Sequence, residues 1–541
     1  MGAGHASTSI GYAVGLKEGM KLRGQGDDGK VVAVIGDGAM TGGVAFEAIH
    51  QAGGLGTPFV VVLNDNGMSI APNVGALSSY FNRVRLQPEL WHAREGVEHR
   101  LTELPGGIGA ALEKLGPRLK ESLKSFWAPG LWWEELDWAY TGVVDGHDVR
   151  ALRRALRAAL DADRPVVVHV ATVKGKGFAP AEEGGLEGME QWHAAKPKSI
   201  ANGKPAAKAA ASGAPAPPPQ YTKVFGDAMV REVRRDRRVV GITAAMNSGT
   251  GLNILQKAEP AHYFDVGIAE QQAVLFASGL ALEGAKPVCA IYSTFLQRAF
   301  DQIVHDVCLQ SLNVVFAMDR AGLVGDDGPT HHGVFDIAYL RCLPNIVVGA
   351  PRDEAQLELL LRTSLEWDEG PFALRYPRGE GSGVPLPSAT DAVAAVEVGT
   401  GEVLREGSRV ALLGYGSGVG KALEAADELA ERGLDVTVAD ARFVKPLDMA
   451  LLQALAADHE LLVTVEEGQL QGGFGSAVWE GFNEAGLAAP RIVRVGLPDR
   501  YVTHGKPALL HREVGFTGRA IAQRVEAELS AGRGAVAAGR S

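Results

Sequence analysis

VVAVIGDGAM (residues 31–40) and FVVVLNDNGM (residues 59–68) decide the fold. Each is a short β-branched, apolar run that stops at Gly, Asp or Asn, the form of a buried strand ending in a turn. Between them, Val44–Ala52 reads as a helix, so the order is strand, turn, helix, strand. That order is the βαβ unit of a parallel sheet. Ligands of such sheets sit beyond the carboxyl ends of the strands, where Asp37 and Asn66 fall.

Outward from this unit, Pro165–Val173 is a third strand ending at Lys-Gly-Lys-Gly, and about Ser78 to Trp138 reads as mostly helical. The tryptophans there (Trp91, Trp127, Trp132, Trp133, Trp138) are expected to pack a core rather than stack on bases. Pro197–Pro219 holds six prolines and eight alanines and almost no large apolar residue, the composition of an exposed linker. The alternation then resumes, with strands at Val239–Thr243, Val288–Ile291, Val314–Met318 and Ile346–Val348. A last block opens with strand Val410–Leu413, helix Ala422–Arg432 and strand Val436–Ala439. The expected architecture is α/β, with three doubly wound, mostly parallel-sheet domains. Their expected limits are 1–196, 220–390 and 391–541, with 197–219 as linker.

At 541 residues the chain has room for three or four domains at about 150 residues each. Its net charge of −11 argues against general nucleic-acid binding by a basic surface, so an anionic substrate needs a local arginine or lysine cluster. The three cysteines, Cys289, Cys308 and Cys342, are widely spaced and form no CxxC. That usage fits neither a disulfide framework nor a zinc site and suits a reducing, cytoplasmic setting. No apolar stretch is long enough to span a bilayer, and the start, MGAGHAS, has neither the basic nor the apolar region of a signal peptide. Gly414-Tyr-Gly416-Ser-Gly418-Val-Gly420 and Gly36-Asp-Gly38 both miss the G-x-G-x-x-G pattern, which speaks against a nicotinamide site.

Taken alone, GDG and NDN are turn residues. Their spacing, with 27 residues between Gly38 and Asn66, makes them a candidate pair. A carboxylate (Asp37), an amide oxygen (Asn66) and the backbone carbonyl of Met68 fill half of an octahedral magnesium sphere, and a diphosphate supplies most of the rest. Gly38 allows close backbone approach. This is the reading of a thiamine diphosphate site.

The motifs GDGAMTGGVAFEA, LNDNGMSIAPNVGALS, VDGHDV, FDVGIAEQ, AIYSTFLQRAFDQIVHDV, DRAGLVGDDGPTHHGVFD, RYPRG and ARFVKPLD resemble the 1-deoxy-D-xylulose-5-phosphate synthases, which are thiamine diphosphate-dependent and transketolase-like. The resemblance runs from Gly4 nearly to the C-terminus. It implies two thiamine diphosphate-binding folds followed by a transketolase C-terminal domain, in a homodimer with Mg²⁺. It also implies condensation of pyruvate with glyceraldehyde 3-phosphate, with loss of CO₂, feeding isoprenoid, thiamine and pyridoxal biosynthesis. By the same resemblance Gly4, His5, Ala6, Gly38 and Ala39 line the cofactor, and Asp37, Asn66 and Met68 bind magnesium. Phe178 stands near the thiamine, and Glu270 bonds the aminopyrimidine N1′. Arg320 and Arg378 clamp the acceptor phosphate with Tyr292 and Arg298 adjoining, while Asp327 and His331 position the acceptor and move protons. His147 and His193 are expected near the site, and His332 has no assigned role.

Two departures from the family pattern stand out. The family carries a substantial segment before the GxGHxSTS run, holding two site histidines, whereas this chain begins almost at that run. Gln272 replaces the histidine usual two positions after the site glutamate. For Glu270 the plain alternative is a helix N-terminal acid paired with the dipole. For the whole chain the alternatives are a transketolase, the E1 component of a 2-oxoacid dehydrogenase, or a non-catalytic or split-chain thiamine diphosphate-binding protein.

Overall fold

Short apolar β-branched runs separated by helices give three sheets in the computed structural model, which describes residues 4–26, 29–69, 71–85, 130–193, 217–387 and 393–538. Among the described residues, the first sheet holds β1 (Val32–Gly36), β2 (Val60–Asp65), β3 (Ala139–Asp145) and β4 (Val166–Ala171), all parallel, in the order β1-β2-β4-β3. Helices Ser9–Leu22 and Gly43–Leu55 cover one face, where Ile10, Val14, Ile49, Phe59, Trp133 and Trp138 are buried together. Helix Val149–Leu160 covers the other, over Val60, Val166, Val168 and Val170. Strands buried on both faces account for the valine runs that betray them in the sequence.

The second sheet contains β5 (Val239–Thr243), β6 (Tyr263–Asp265), β7 (Lys286–Tyr292), β8 (Val315–Ala321), β9 (Val347–Gly349) and β10 (Phe372–Pro377). In the third sheet β11 (Glu402–Arg405) runs antiparallel to β13 (Thr437–Asp440), while β12 (Arg409–Tyr415), β15 (His459–Gln469) and β16 (Arg491–Leu497) are parallel to their neighbours. Strand β14 (Phe443–Lys445) leaves that domain and pairs antiparallel with β9, extending the second sheet. Phe443 closes this seam, buried edge-on to Phe372.

By contact the chain divides into one unit of Met1–Ala211 with Val266–Ala269 and another of Ser212–Asp265 with Glu270–Ser541. The fold is α/β with mostly parallel sheets. Of the stretch read as mostly helical, Gly75–Arg85 and Leu131–Glu134 are helices and Ala139–Asp145 begins a strand. Trp91, Trp127 and most of the proposed linker lie outside the described residues. Trp133 and Trp138 pack the core, and the Trp138 Nε1–H donates to Ile49 O at 2.9 Å.

Candidate active site

Strands β1 and β2 are in register with Gly36 beside Asn64, so their C-terminal ends present Asp37 next to Asp65 and Asn66. Asp37 is buried; its Oδ2 accepts from Gly67 N at 3.0 Å and Asn73 Nδ2 at 2.7 Å, and its Oδ1 takes a long contact from Asn66 N at 3.4 Å. Burial, and then the neighbouring Asp65 carboxyl, push the Asp37 carboxyl above its usual range, against the pull of those three donors. A cation at Oδ1 would relieve that cost. Asn66 Oδ1 accepts from Met68 N at 3.0 Å. At Gly38 a Cβ would come within 2.7 Å of Asn73 Oδ1 and 3.0 Å of Ser69 Cβ, so the turn is closed to any side chain but open to close backbone approach.

The segment Gly4-His5-Ala6 leads into Ser7, whose buried hydroxyl donates to Ala39 O at 2.7 Å and so brings the Gly-His-Ala-Ser run alongside the Gly38–Ala39 turn. Ser7 has φ +80°, a left-handed backbone that a non-glycine residue adopts at a cost of about 1 kcal/mol or more. Phe178, in the turn after β4, sets its ring edge-on to Trp192 at 5.0 Å.

Two features of this first unit carried no assignment in the sequence. Lys174, the first lysine of Lys-Gly-Lys-Gly, donates its Nζ to Ser69 O; burial lowers its pKa, and its charge reaches Asp37 and Glu190. Behind the turn, His169 Nε2 lies 3.0 Å from Asp65 Oδ2 and its Nδ1 2.7 Å from Tyr140 OH, with His169 and Asp65 fully enclosed. The Asp65 carboxylate accepts from the ring Nε2–H, and this contact fixes the Asp65 side chain. A histidine within the valine run VVVHV was the available signal.

In the second unit Glu270 is the first residue of helix Glu270–Leu282. It does stand at a helix N-terminus, yet it is also 2% exposed and accepts from Arg298 Nη1 at 2.9 Å. Burial pushes its carboxyl above the usual range, and the Arg298 guanidinium offsets part of that rise. Arg298, expected beside the phosphate clamp, is placed by this ion pair on Glu270. Gln272 points from the exposed side of the helix.

Arg320, Asp327, His331, Tyr292 and Arg378 gather at the C-terminal ends of β7, β8 and β10. Asp327 Oδ2 receives Arg378 Nη1 at 3.1 Å and Arg320 Nη1 at 3.4 Å. The Arg320 guanidinium lies 4.1 Å over the Tyr292 ring, a cation–π contact. Tyr292 stacks on Phe295, which meets His331 edge-on at 5.4 Å. The Tyr292 hydroxyl is buried with no hydrogen-bond partner among the described residues. Burial lowers the His331 pKa, which favours the neutral ring, and its Nδ1 is 2.8 Å from Thr330 Oγ1.

His332 has a clear structural role: Val324 N donates to its Nδ1 at 3.2 Å and its Nε2 lies 3.3 Å from Thr503 O. His147 is exposed and closes a turn, its Nε2 accepting from Val173 N at 2.9 Å. His193 is exposed, within electrostatic reach of Lys174.

Among the described residues no three His, Cys, Asp or Glu side chains converge as a metal cage. The donors at β1 and β2 are instead one carboxylate, one amide and a backbone carbonyl. That hard-oxygen set fits magnesium shared with a diphosphate, and the closed Gly38 cradle fits the diphosphate itself.

Comparison with known proteins matches residues 1–172 to 1-deoxy-D-xylulose-5-phosphate synthase, 218–382 to the transketolase pyrimidine binding domain and 399–521 to the transketolase C-terminal domain. A 1-deoxy-D-xylulose-5-phosphate synthase of Thermomicrobium roseum is 51% identical over 529 residues, covering 98% of this chain and 80% of its own. One from Synechococcus sp. (strain JA-2-3B'a(2-13)) is 50% identical over 538 residues, again with 98% and 80% covered. Among solved structures, a split gene transketolase, described as an inactive beta4 tetramer, aligns with a TM-score of 0.52 at 32% identity, over 57% of this chain and 98% of its own.

Proposed function

Because the chain belongs to the 1-deoxy-D-xylulose-5-phosphate synthase family, we propose that it condenses pyruvate with D-glyceraldehyde 3-phosphate, releasing CO₂, to give 1-deoxy-D-xylulose 5-phosphate. The observation that carries this reading is the pair of guanidiniums, Arg320 and Arg378, converging on one carboxylate beside Tyr292 and His331. In a chain of net charge −11, such a focus of positive charge is what a phosphorylated aldehyde requires.

Thiamine diphosphate, when bound, supplies the electron sink for loss of CO₂ and for joining the remaining two carbons to the aldehyde. Asp37 Oδ1, Asn66 Oδ1 and the Met68 carbonyl would hold Mg²⁺, and Gly4, His5, Ala6, Gly38, Ala39 and Phe178 would line the cofactor. Glu270, whose pKa burial raises, would share its proton with the pyrimidine N1′. Asp327 preorients both guanidiniums, which take the acceptor phosphate, and His331, whose pKa burial lowers, would move a proton for the acceptor.

The same reading assigns 1–196 to the diphosphate-binding domain, 220–390 to the pyrimidine-binding domain and 391–541 to the transketolase C-terminal domain. It further places the product in isoprenoid, thiamine and pyridoxal biosynthesis, in a cytoplasmic homodimer. Among the described residues no helix is long and apolar enough to cross a membrane.

Steady-state rates with D-glyceraldehyde 3-phosphate and with unphosphorylated D-glyceraldehyde test the clamp. The phosphorylated acceptor should have a kcat/KM higher by at least about a hundredfold; equal values would remove the basis for the proposal. Arg298 gives a pH test. The Glu270 carboxyl already titrates above its ordinary range, and replacing Arg298 by glutamine removes the cation that restrains it. The limb of the kcat/KM profile that reports Glu270 should therefore move to higher pH in Arg298→Gln. A limb that stays in place would show that Arg298 does not tune this carboxyl.

A further inference from the structure

The loop from Arg320 to Gly333 carries Asp327 and His331 on one side; on the other it is bound to the C-terminal domain. The loop is closed on itself at its neck, where Gly322 N donates to Gly333 O at 2.7 Å and Gly333 N to Gly322 O at 2.9 Å. Beyond the neck, Leu323 N donates to Glu467 Oε1 at 3.0 Å. Glu467 lies near the end of β15, buried, and no charged group of the acceptor cluster touches it. Its carboxylate is fully engaged: His511 Nε2 is 2.7 Å from Oε1 and Ser417 Oγ donates to Oε2 at 2.7 Å.

The fit is steric as well as polar. A Cβ at Gly322 would lie 2.5 Å from Glu467 Cδ, and Gly322 has φ +82°, so the carboxylate occupies the space that a side chain would need. Other ties run in parallel. Gly505 N donates to Gly325 O at 3.3 Å, His332 bridges Val324 N to Thr503 O, and Leu323 packs with Leu497, Val502 and Leu510. Arg375, buried and paired with Asp336, donates to both Gly333 O and Glu467 O, fastening the foot of the loop to the same strand.

We propose that Glu467 is a positioning residue for acceptor binding: from the C-terminal domain, its carboxylate fixes Gly322–Leu323 and thereby the placement of Asp327 and His331. This rests on the reading that the loop meets the phosphorylated aldehyde. It gives the third domain a part in substrate affinity, through a hydrogen bond to backbone rather than contact with the acceptor. Pyruvate handling through Glu270 lies outside the latch.

The test compares Glu467→Ala, Glu467→Gln and His511→Asn with the parent chain, by steady-state kinetics and by amide hydrogen exchange across residues 322–334. In Glu467→Ala the KM for glyceraldehyde 3-phosphate should rise about tenfold while the KM for pyruvate and the half-saturating thiamine diphosphate stay within about twofold. Glutamine keeps an acceptor for Leu323 N and should restore most of the affinity. His511→Asn, changed at a partly exposed side chain, should act in the same direction by about threefold and serves if Glu467→Ala does not fold. The Leu323 and Val324 amides should exchange at least about tenfold faster in Glu467→Ala.

An unchanged KM for the aldehyde, or a rise shared equally by both substrates, would overturn the proposal, and so would unaltered exchange. If the parent chain turns over no glyceraldehyde 3-phosphate, it is the proposed reaction that fails. The latch is then decided by exchange alone: loosening confined to 322–334 upholds it and none removes it.

Discussion

Glu270→Gln should leave a folded chain whose turnover of pyruvate and glyceraldehyde 3-phosphate falls by about a thousandfold, the scale of losing a positioned proton-transfer group. The placement of this carboxyl is the reason. It opens a helix with its side chain enclosed, and burial raises its pKa, which favours the protonated form that can share its proton with a ring nitrogen. Glutamine preserves the volume and can still accept from Arg298, so packing is retained while the transferable proton is lost. The measurements are kcat for product formation and affinity for thiamine diphosphate, the latter expected to weaken less than the rate. A Glu270→Gln chain with more than about a tenth of parental kcat would refute the role given to this residue.

Asp37→Asn should act on cofactor binding and on stability in opposite directions. The folded-state pKa of Asp37 is raised above its unfolded value, so with no cation bound this group contributes stability at low pH that is lost as pH rises towards the raised value. At neutral pH the ionised carboxyl therefore burdens the cofactor-free fold. Asparagine keeps an oxygen for Gly67 N and Asn73 Nδ2 and removes the charge. Thermal unfolding at pH 7 without cofactor should shift upward in Asp37→Asn, and the shift should vanish in acid. Mg²⁺ and thiamine diphosphate together should stabilise the parent chain and bind Asp37→Asn at least about a hundredfold more weakly. A variant that retains the full Mg²⁺- and thiamine diphosphate-dependent rise in Tm would show that Asp37 is not a ligand. Sites built for function are often destabilising until occupied, and Asp37 has that form.

Much of the scaffold was readable because parallel strands buried on both faces are continuous apolar runs. Val239–Thr243 is a strand with those limits, and the runs at 31–35 and 59–63 differ from β1 and β2 by one or two residues. Several other strands lack that signature. Strand β3 reads AYTGVVD, with a glycine in its middle and its residues only half-buried; β6 has three residues; and β10, FALRYP, carries a buried arginine. The pairing of β14 with β9 joins residues far apart in sequence, and no local pattern encodes it.

The candidate site shows the same division. Asp37, Asn66 and Glu270 stand out in the sequence because each lies at the end of a strand or start of a helix within a spaced motif. Arg298 lies in such a motif too, but its pairing with Glu270 depends on how the helix after β7 packs and has no local signal. His331 and His332 are adjacent, yet one ring faces Phe295 in the acceptor cluster and the other pins Val324 to Thr503. Adjacent identical residues carry no information about which way each points. Glu467 sits in the plain-looking run TVEEG, and its importance comes from the loop that rests on it.

NMR of the purified chain incubated with [2-¹³C]pyruvate, D-glyceraldehyde 3-phosphate, thiamine diphosphate and Mg²⁺ follows the proposed reaction carbon by carbon. The label should move from pyruvate into the C2 carbonyl of 1-deoxy-D-xylulose 5-phosphate, with one CO₂ released for each product formed. Label remaining in pyruvate, or passing to two-carbon products with the aldehyde untouched, would contradict it.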